Sequence, residues 1–240
     1  LKWAGGKTQL LDIIESRLPG PLRETGRMHR YVEPFVGGGA VFFYLQNRYD
    51  IGESVLIDLN RELIVGYRVI QQNPEALIQQ LDALESHFLA MEQPERKSYF
   101  YQIRDRYNEQ MLEFDYSNYN EKWIERAAYL IFLNKTCYNG LFRQNQQGEF
   151  NVPYGRYVNP TICDAENLRA VHNALQDTII MCDTFTAAGE YIDDQTFVYF
   201  DPPYRPLNAT SSFTGYFKED FDDESQRALA AFYSALDQRD

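Results

Sequence analysis

"RYVEPFVGGGAVFFYLQNRY", residues 30–49, decides the fold. "RYVEPF" (30–35) reads as a short strand that runs into the glycine loop "VGGG", and "AVFFYLQNRY" reads as the helix that follows. "SVLID" (54–58) is a second buried strand. Strand, glycine loop, helix and strand in this order make one Rossmann-like half. The glycines let a backbone come close to a ligand, and the start of the helix favours a carboxylate or another anion. A glycine-rich turn alone is weak evidence, but Asp58 strengthens it. It ends the second strand 21 positions after Gly37, near the offset of about 20 at which an acidic residue grips ribose hydroxyls. The same aspartate would also serve as the N-cap of "RELIVGY".

Upstream, Leu10, Leu11, Ile14 and Leu18 share one helical face. Downstream the pattern turns helical from residue 61 to about 138: "RELIVGYRVIQQ", "PEALIQQLDALESHF", "ERKSYFYQIRDRYNEQM" and "EKWIERAAYLIFLNKTCYN". Pro74 and Pro94 fall at or near helix starts, where proline is tolerated. "NGLFRQNQQGEFNVPYGRYVNP" (139–160) is rich in Gly, Asn and Pro and reads as a structured loop or hairpin. After the helix "AENLRAVHNAL", strand character resumes at "TIIMC" (178–182) and "TFVYFD" (196–201). So long a span between strands is no ordinary crossover. The expected fold is therefore an α/β, Rossmann-like sheet built from 1–60 and 161–240, with a mostly helical insert at 61–160. Leu1 is no initiator methionine, and a helix closes the sequence. The sequence thus reads as trimmed, with further strands expected past Asp240.

Composition sets outer bounds. The chain has 240 residues, 44% hydrophobic, 15% aromatic with 18 Tyr, and a net charge of −12. That charge by itself argues against a nucleic-acid partner. It is uneven, however: Lys2, Lys7, Arg17, Arg23, Arg27 and Arg30 outnumber the acids of the first 30 residues, and Lys135, Arg143 and Arg156 face Glu149 alone. A local basic cleft on an acidic protein is compatible with this pattern. Cys137, Cys163 and Cys182 form no paired framework, which makes a reducing cytoplasm the default. Three scattered histidines make a metal site an unfavoured reading. Neither a signal peptide nor a membrane-length apolar run is visible.

The tetrapeptide Asp201-Pro202-Pro203-Tyr204 carries the chemistry. It follows directly on an apolar strand, and open α/β sheets bind ligands at the carboxyl ends of their strands. Proline lacks an N–H and fixes its own φ, so the segment cannot continue as a ladder. The Asp201 carboxylate and the Pro202 carbonyl then face outward as two fixed acceptors. Two acceptors suit an exocyclic amino group, and Tyr204 supplies a ring for the base that bears it. The bland alternative is a proline turn with a capping aspartate. Gly6-Lys7-Thr8 mimics the end of a phosphate-binding loop, but Leu1 stands where that loop needs glycine. The glycine loop after the first strand lacks the Gly-Lys-Thr ending, so an ATPase reading is disfavoured.

Taken in order, "KWAGGK", "EPFVGGGAVF", "DLN", "NGLFR…GEFNVPYGRY" and "DPPY" resemble the Dam-type, GATC-specific DNA adenine-N6 methyltransferases of the alpha group. The resemblance covers almost the whole chain. It implies S-adenosylmethionine as cofactor, bound through Trp3, Lys7, Pro34, Phe35, Gly37, Gly39 and Asp58. Lys7 would pair with the cofactor carboxylate and Asp58 with the ribose. Asp183 and Thr184 of "MCDTF" would lie near the cofactor adenine, although a plain strand-end turn explains them nearly as well. Asp201, with Pro202, Pro203 and Tyr204, would hold the target amine of a base flipped out of double-stranded DNA. Arg143 would read a guanine edge, Tyr138 would wedge into the gap, Asn139, Leu141 and Pro153 would line the reader, and Lys2 would reach another guanine. Contact of Arg143 and Arg156 with phosphates alone is the competing reading. A cognate restriction endonuclease is a further implied partner. Cytosine-N4 or RNA methylation, and an inactive DNA- or cofactor-binding module, are the alternative functions.

Overall fold

The computed structural model of the protein describes residue 3 and residues 6–203 and 221–238. Its elements are α1 (Leu11–Ser16), α2 (Gly20–Thr25), β1 (Arg27–Glu33), α3 (Ala40–Gln46), β2 (Asp50–Asp58), α4 (Arg61–Gln72), α5 (Pro74–Leu89), α6 (Gln93–Gln110), α7 (Lys122–Thr136), α8 (Ala165–Ala174), β3 (Thr178–Cys182), β4 (Thr196–Val198) and α9 (Asp223–Asp237). They divide into two compact units. One holds residues 6–60, 176–203 and 221–238; the other holds Trp3 and residues 61–175.

The first unit is a parallel sheet in the order β3-β2-β1-β4. Register aligns Val32 with Val55 on one side and Val198 on the other. Side chains alternate across a strand. Val32, Val55 and Ile57 therefore pack with Ala188 and Phe232 of α9, while Tyr31 points the other way onto Phe42 of α3, with ring centroids 5.9 Å apart. Phe42, Val32 and Ile57 are fully buried, and each such side chain contributes roughly 1.5–3 kcal/mol.

The strands start earlier than their apolar cores suggest. β1 and β2 already pair from Arg27 and Asp50, and Arg30 lies opposite Glu53. Arg30 donates through Nε to Glu53 (2.8 Å) and through Nη1 to Asp193 (2.8 Å). A search for apolar runs passes over such polar cross-strand pairs. β4 stops at Val198, short of the expected Asp201. Its one neighbour among the described strands, β1, ends at Glu33, and the last ladder bond runs from the Tyr199 N–H to the Val32 carbonyl (2.9 Å). Phe200 and Asp201 are thereby released from the sheet.

The second unit is built on α7, which packs against α4, α5 and α6 and is buried along nearly its whole length. α4 spans the expected residues 61–72. α6 opens with a reciprocal cap, in which the Glu92 N–H donates to the Glu95 carboxylate at 3.0 Å. α8 rests on α4 and α5, and the Gln71 side chain donates to the Leu175 carbonyl (2.6 Å). The helical unit thus runs on past residue 160 to Leu175. Trp3 also lies in it, stacked on Phe142 at 5.0 Å with 21° between the ring planes.

Candidate functional site

The four strands among the described residues are all parallel, so their carboxyl ends share one edge of the sheet. β1 sits between β2 and β4, and the chain leaves it toward opposite sides. This is a topological switch point, where open α/β sheets form their ligand crevice. Glu33, Asp58 and the Asp201 segment emerge there.

The loop after β1 is shaped by two glycines. Gly37 (φ 48°) and Gly39 (φ 69°) both adopt the left-handed conformation that side chains disfavour. The Val36 N–H donates to the Ile57 carbonyl (3.0 Å). Asp58 holds the loop from β2: its carboxylate accepts from Gly37 N–H (2.9 Å) and from Asn60 N–H (2.8 Å). Burial pushes the Asp58 carboxyl above its ordinary range, opposed by these two donors. Each oxygen keeps a second lone pair, so loop support and ribose binding are compatible. Pro34 is buried, and the half-buried Phe35 ring lies 5.7 Å from Phe185 and 5.8 Å from Phe221. This aromatic surface suits a planar ligand. Beyond β3, Asp183 is exposed and accepts from the Thr184 N–H (2.7 Å), which begins a 3-10 turn at Phe185–Glu190.

Past β4, Lys7 Nζ lies 2.8 Å from the Asp201 carboxylate; the two side chains are 13% and 22% exposed. The Gly-Lys-Thr stretch therefore meets a carboxylate at a strand end. Pro202 and Pro203 are partly buried beside it. Tyr204 and Lys2 lie outside the described residues.

Glu33 is a site-edge group that the motif reading passed over. It ends β1 at 2% exposure and accepts from the Tyr31 hydroxyl (2.8 Å). Burial raises its carboxyl to about 8, with Asp201 and Asp58 adding to the rise and the Tyr31 hydrogen bond opposing it. The available signal was an acid closing an apolar strand. Between about 4.5, its ordinary value, and about 8 the folded state holds a proton that the unfolded chain releases. Stability contributed by neutral Glu33 is thus full below that window and falls as pH rises through it. Glu33→Gln is expected to remove this slope, matching the parent at pH 5 and exceeding it at pH 8.5 by a few kcal/mol, because each tenfold change in proton affinity is worth about 1.4 kcal/mol. Urea unfolding at the two pH values measures it, and equal slopes would refute it.

The candidate base reader belongs to the helical unit. Residues 137–154 fold back on themselves through antiparallel bridges at Cys137–Tyr154 and Gln144–Phe150. Phe142, Phe150, Val152 and Tyr154 are buried, whereas Tyr138, Asn139, Arg143 and Pro153 are exposed and Leu141 is half-buried. Alternation thus anchors one face and displays the other. Asn139 has a positive φ of 56°, in the left-handed turn that asparagine tolerates. Gly155 lets two backbones touch: a Cβ there would stand 2.5 Å from the Cys137 carbonyl oxygen. Trp3 joins this unit through Phe142, next to Arg143.

Residues 3–240 match the D12 class N6 adenine-specific DNA methyltransferase family. The chain belongs to this family. Similarity to individual members runs the length of the chain. A "Type II methyltransferase M.MjaIII" from Methanocaldococcus jannaschii is 49% identical over 239 residues, covering 100% of this chain and 80% of the relative. The "DNA adenine methylase" of Escherichia coli K12 is 35% identical over 239 residues, covering 100% and 76%. The "DNA N-6-adenine-methyltransferase" of Escherichia phage P1 is 34% identical over 238 residues, covering 99% of this chain and 28% of the relative. A D12 class methyltransferase acts on DNA and draws on a methyl donor. Acidic composition was therefore a misleading guide to the partner of this methyltransferase. No helix among its described residues is long and apolar enough to cross a membrane.

Proposed function

We propose that the protein methylates N6 of adenine in double-stranded DNA at GATC, using S-adenosylmethionine, with the target base flipped out of the helix. The observation that carries this is the Lys7–Asp201 pair at the end of β4, beside the glycine loop of β1. A fixed acceptor and an ammonium at a switch point suit a target amine and a carboxylate-bearing ligand. Phe35 offers a ring surface, Asp58 retains acceptor capacity, and Gly37 and Gly39 allow close approach, so the residues present fit an adenosyl amino acid. Asp183 and Thr184 complete this edge.

When bound, S-adenosylmethionine supplies an activated methyl on a sulfonium sulfur. The chain's own part is positioning and electrostatics. Asp201 and the Pro202 carbonyl accept the two N6 hydrogens and turn the lone pair out of the ring plane. N6 so held would receive the methyl that the sulfonium supplies, with the neutral thioether as the leaving group. The nitrogen, positive at that moment, becomes acidic and releases its proton to water, so no strong base is needed. An adenine inside a duplex cannot reach such a crevice, and flipping supplies the access. Pro203 rigidifies the segment, and Tyr204 stacks on the base. Arg143, Tyr138, Asn139, Leu141, Pro153 and Lys2 read and wedge the site.

The printed names of two relatives support accompanying roles. "Type II methyltransferase" fits pairing with a restriction endonuclease acting on the same site, and "DNA adenine methylase" fits the adenine target. Cys137, Cys163 and Cys182, none of them in a disulfide, suit a cytoplasmic setting. The test uses the full chain with an unmethylated plasmid and methyl-labelled S-adenosylmethionine, followed by digestion with enzymes that distinguish methylated from unmethylated GATC. Label on adenine with GATC protection is the expected result. Label on cytosine, protection of another sequence, or binding without transfer would overturn the target atom, the GATC assignment or the activity respectively.

A further inference from the structure

The geometry points to Asn151 as the residue that sets how Arg143 reads a base; the inference rests on the proposal that Arg143 contacts a guanine edge. A guanidinium has two edges able to make paired hydrogen bonds. The side-on edge carries Nε–H and one hydrogen of Nη2. The end-on edge carries Nη1–H and the other hydrogen of Nη2. Here the side-on edge is occupied. Arg143 Nε donates to Asn151 Oδ1 at 2.7 Å, and Nη2 faces the Asn151 carbonyl oxygen at 3.4 Å. Nη1 has no protein partner among the described residues.

Asn151 is itself fixed. Its N–H donates to the Arg143 carbonyl across the turn (3.1 Å). The preceding Phe150 is clamped by Asn108 of α6, whose Oδ1 accepts from the Phe150 N–H (2.8 Å) and whose Nδ2 donates to the Phe150 carbonyl (3.2 Å). Phe142, on the other arm, is buried and stacked under Trp3. The exposed Arg143 side chain is thereby steadied from a rigid base, and its end-on edge is the one left for a ligand. That edge matches the O6 and N7 acceptors that guanine shows in the major groove. A phosphate can take either edge from many directions, so locking one edge suits base readout and adds little to a backbone contact. Asn151 is thus a positioning residue for specificity and does not touch the reacting atoms.

The experiment compares kcat/KM for GATC with that for duplexes in which one G·C pair is replaced, using the full-length protein and its Asn151→Ala, Asn151→Asp, Arg143→Ala and double variants. Arg143→Ala is expected to reduce discrimination about 5- to 150-fold, the range of one paired base contact. Asn151→Ala should lose part of that, roughly 3- to 30-fold, with no further loss when added to Arg143→Ala. Asn151→Asp keeps the acceptor and should keep the discrimination, with weaker DNA binding from its added charge. If Asn151→Ala lowered kcat/KM equally on all duplexes, the positioning role would be overturned. The same holds if its effect persisted undiminished in the Arg143→Ala background, which would mark an independent contact. Unchanged discrimination in Arg143→Ala would instead sink the reading of Arg143 itself.

Discussion

Asp201→Ala is expected to abolish methyl transfer, lowering kcat by on the order of a thousandfold or more. Removal of one preorganised polar group at a reacting centre typically costs about 10²–10³ in rate, and this carboxylate has two tasks. It accepts from the target amine in the proposed reaction, and it holds Lys7 at 2.8 Å. Losing it leaves a lysine only 13% exposed without that counter-charge. Asp201→Asn separates the two effects, since the amide keeps one acceptor oxygen but no charge. It should retain more activity than the alanine variant and still fall far below the parent. Single-turnover transfer to a duplex bearing one target site measures the rate, and equilibrium binding of S-adenosylmethionine shows whether the crevice survives. Transfer within tenfold of the parent would remove Asp201 from the reacting centre and, with it, the mechanism proposed above.

The second large effect concerns stability. Arg126→Leu should destabilise the helical unit by about 3–5 kcal/mol, the usual result of stripping one partner from a buried ion pair. Arg126 and Glu62 are each 1% exposed, and they join α7 to α4 through a two-pronged contact, Nη2 to Oε1 at 2.6 Å and Nε to Oε2 at 2.8 Å. Nη1 also donates to the Tyr107 carbonyl (2.9 Å), and the guanidinium lies 4.3 Å from the Tyr107 ring centre and 4.8 Å from that of Phe114. Burial alone would lower the Arg126 pKa, yet Tyr107 and Glu62 more than offset it and hold the group charged. Without the arginine, a buried carboxylate loses its counter-ion, and a loss of this size is a large share of the roughly 5–15 kcal/mol that a folded protein has. Pairing Arg126→Leu with Glu62→Gln should recover part of it, because no bare charge then stays inside. Urea unfolding followed by circular dichroism measures both. A single-variant loss under about 1 kcal/mol would show that water reaches the pair.

These two sites differ in how far the chain announces them. Asp201 stands in a motif whose prolines and position after an apolar strand signal its release from the sheet. Arg126 lies in "EKWIERAAYLIF", a stretch that reads only as one more helix of the run. Periodicity says which face of α7 turns inward. It cannot say that a charge on that face meets Glu62 of α4, 64 positions away. Asn151 is similar: it reads as one more polar residue of a turn-rich loop until the hairpin closes and sets it opposite Arg143.

Local pattern thus carried the strand, glycine loop and helix of β1–α3, the helical run from residue 61 and the turn chemistry of 139–160. Each depends on neighbours a few residues apart, where backbone geometry and burial period act directly. Pairings across the fold were settled elsewhere: Lys7 with Asp201, Asp58 with the Gly37 N–H, Trp3 with Phe142, and Glu33 buried until its proton is held to about 8. Those depend on strand order and on which helix covers which face. Chain topology sets both, bringing together groups that no period of two or 3.6 relates.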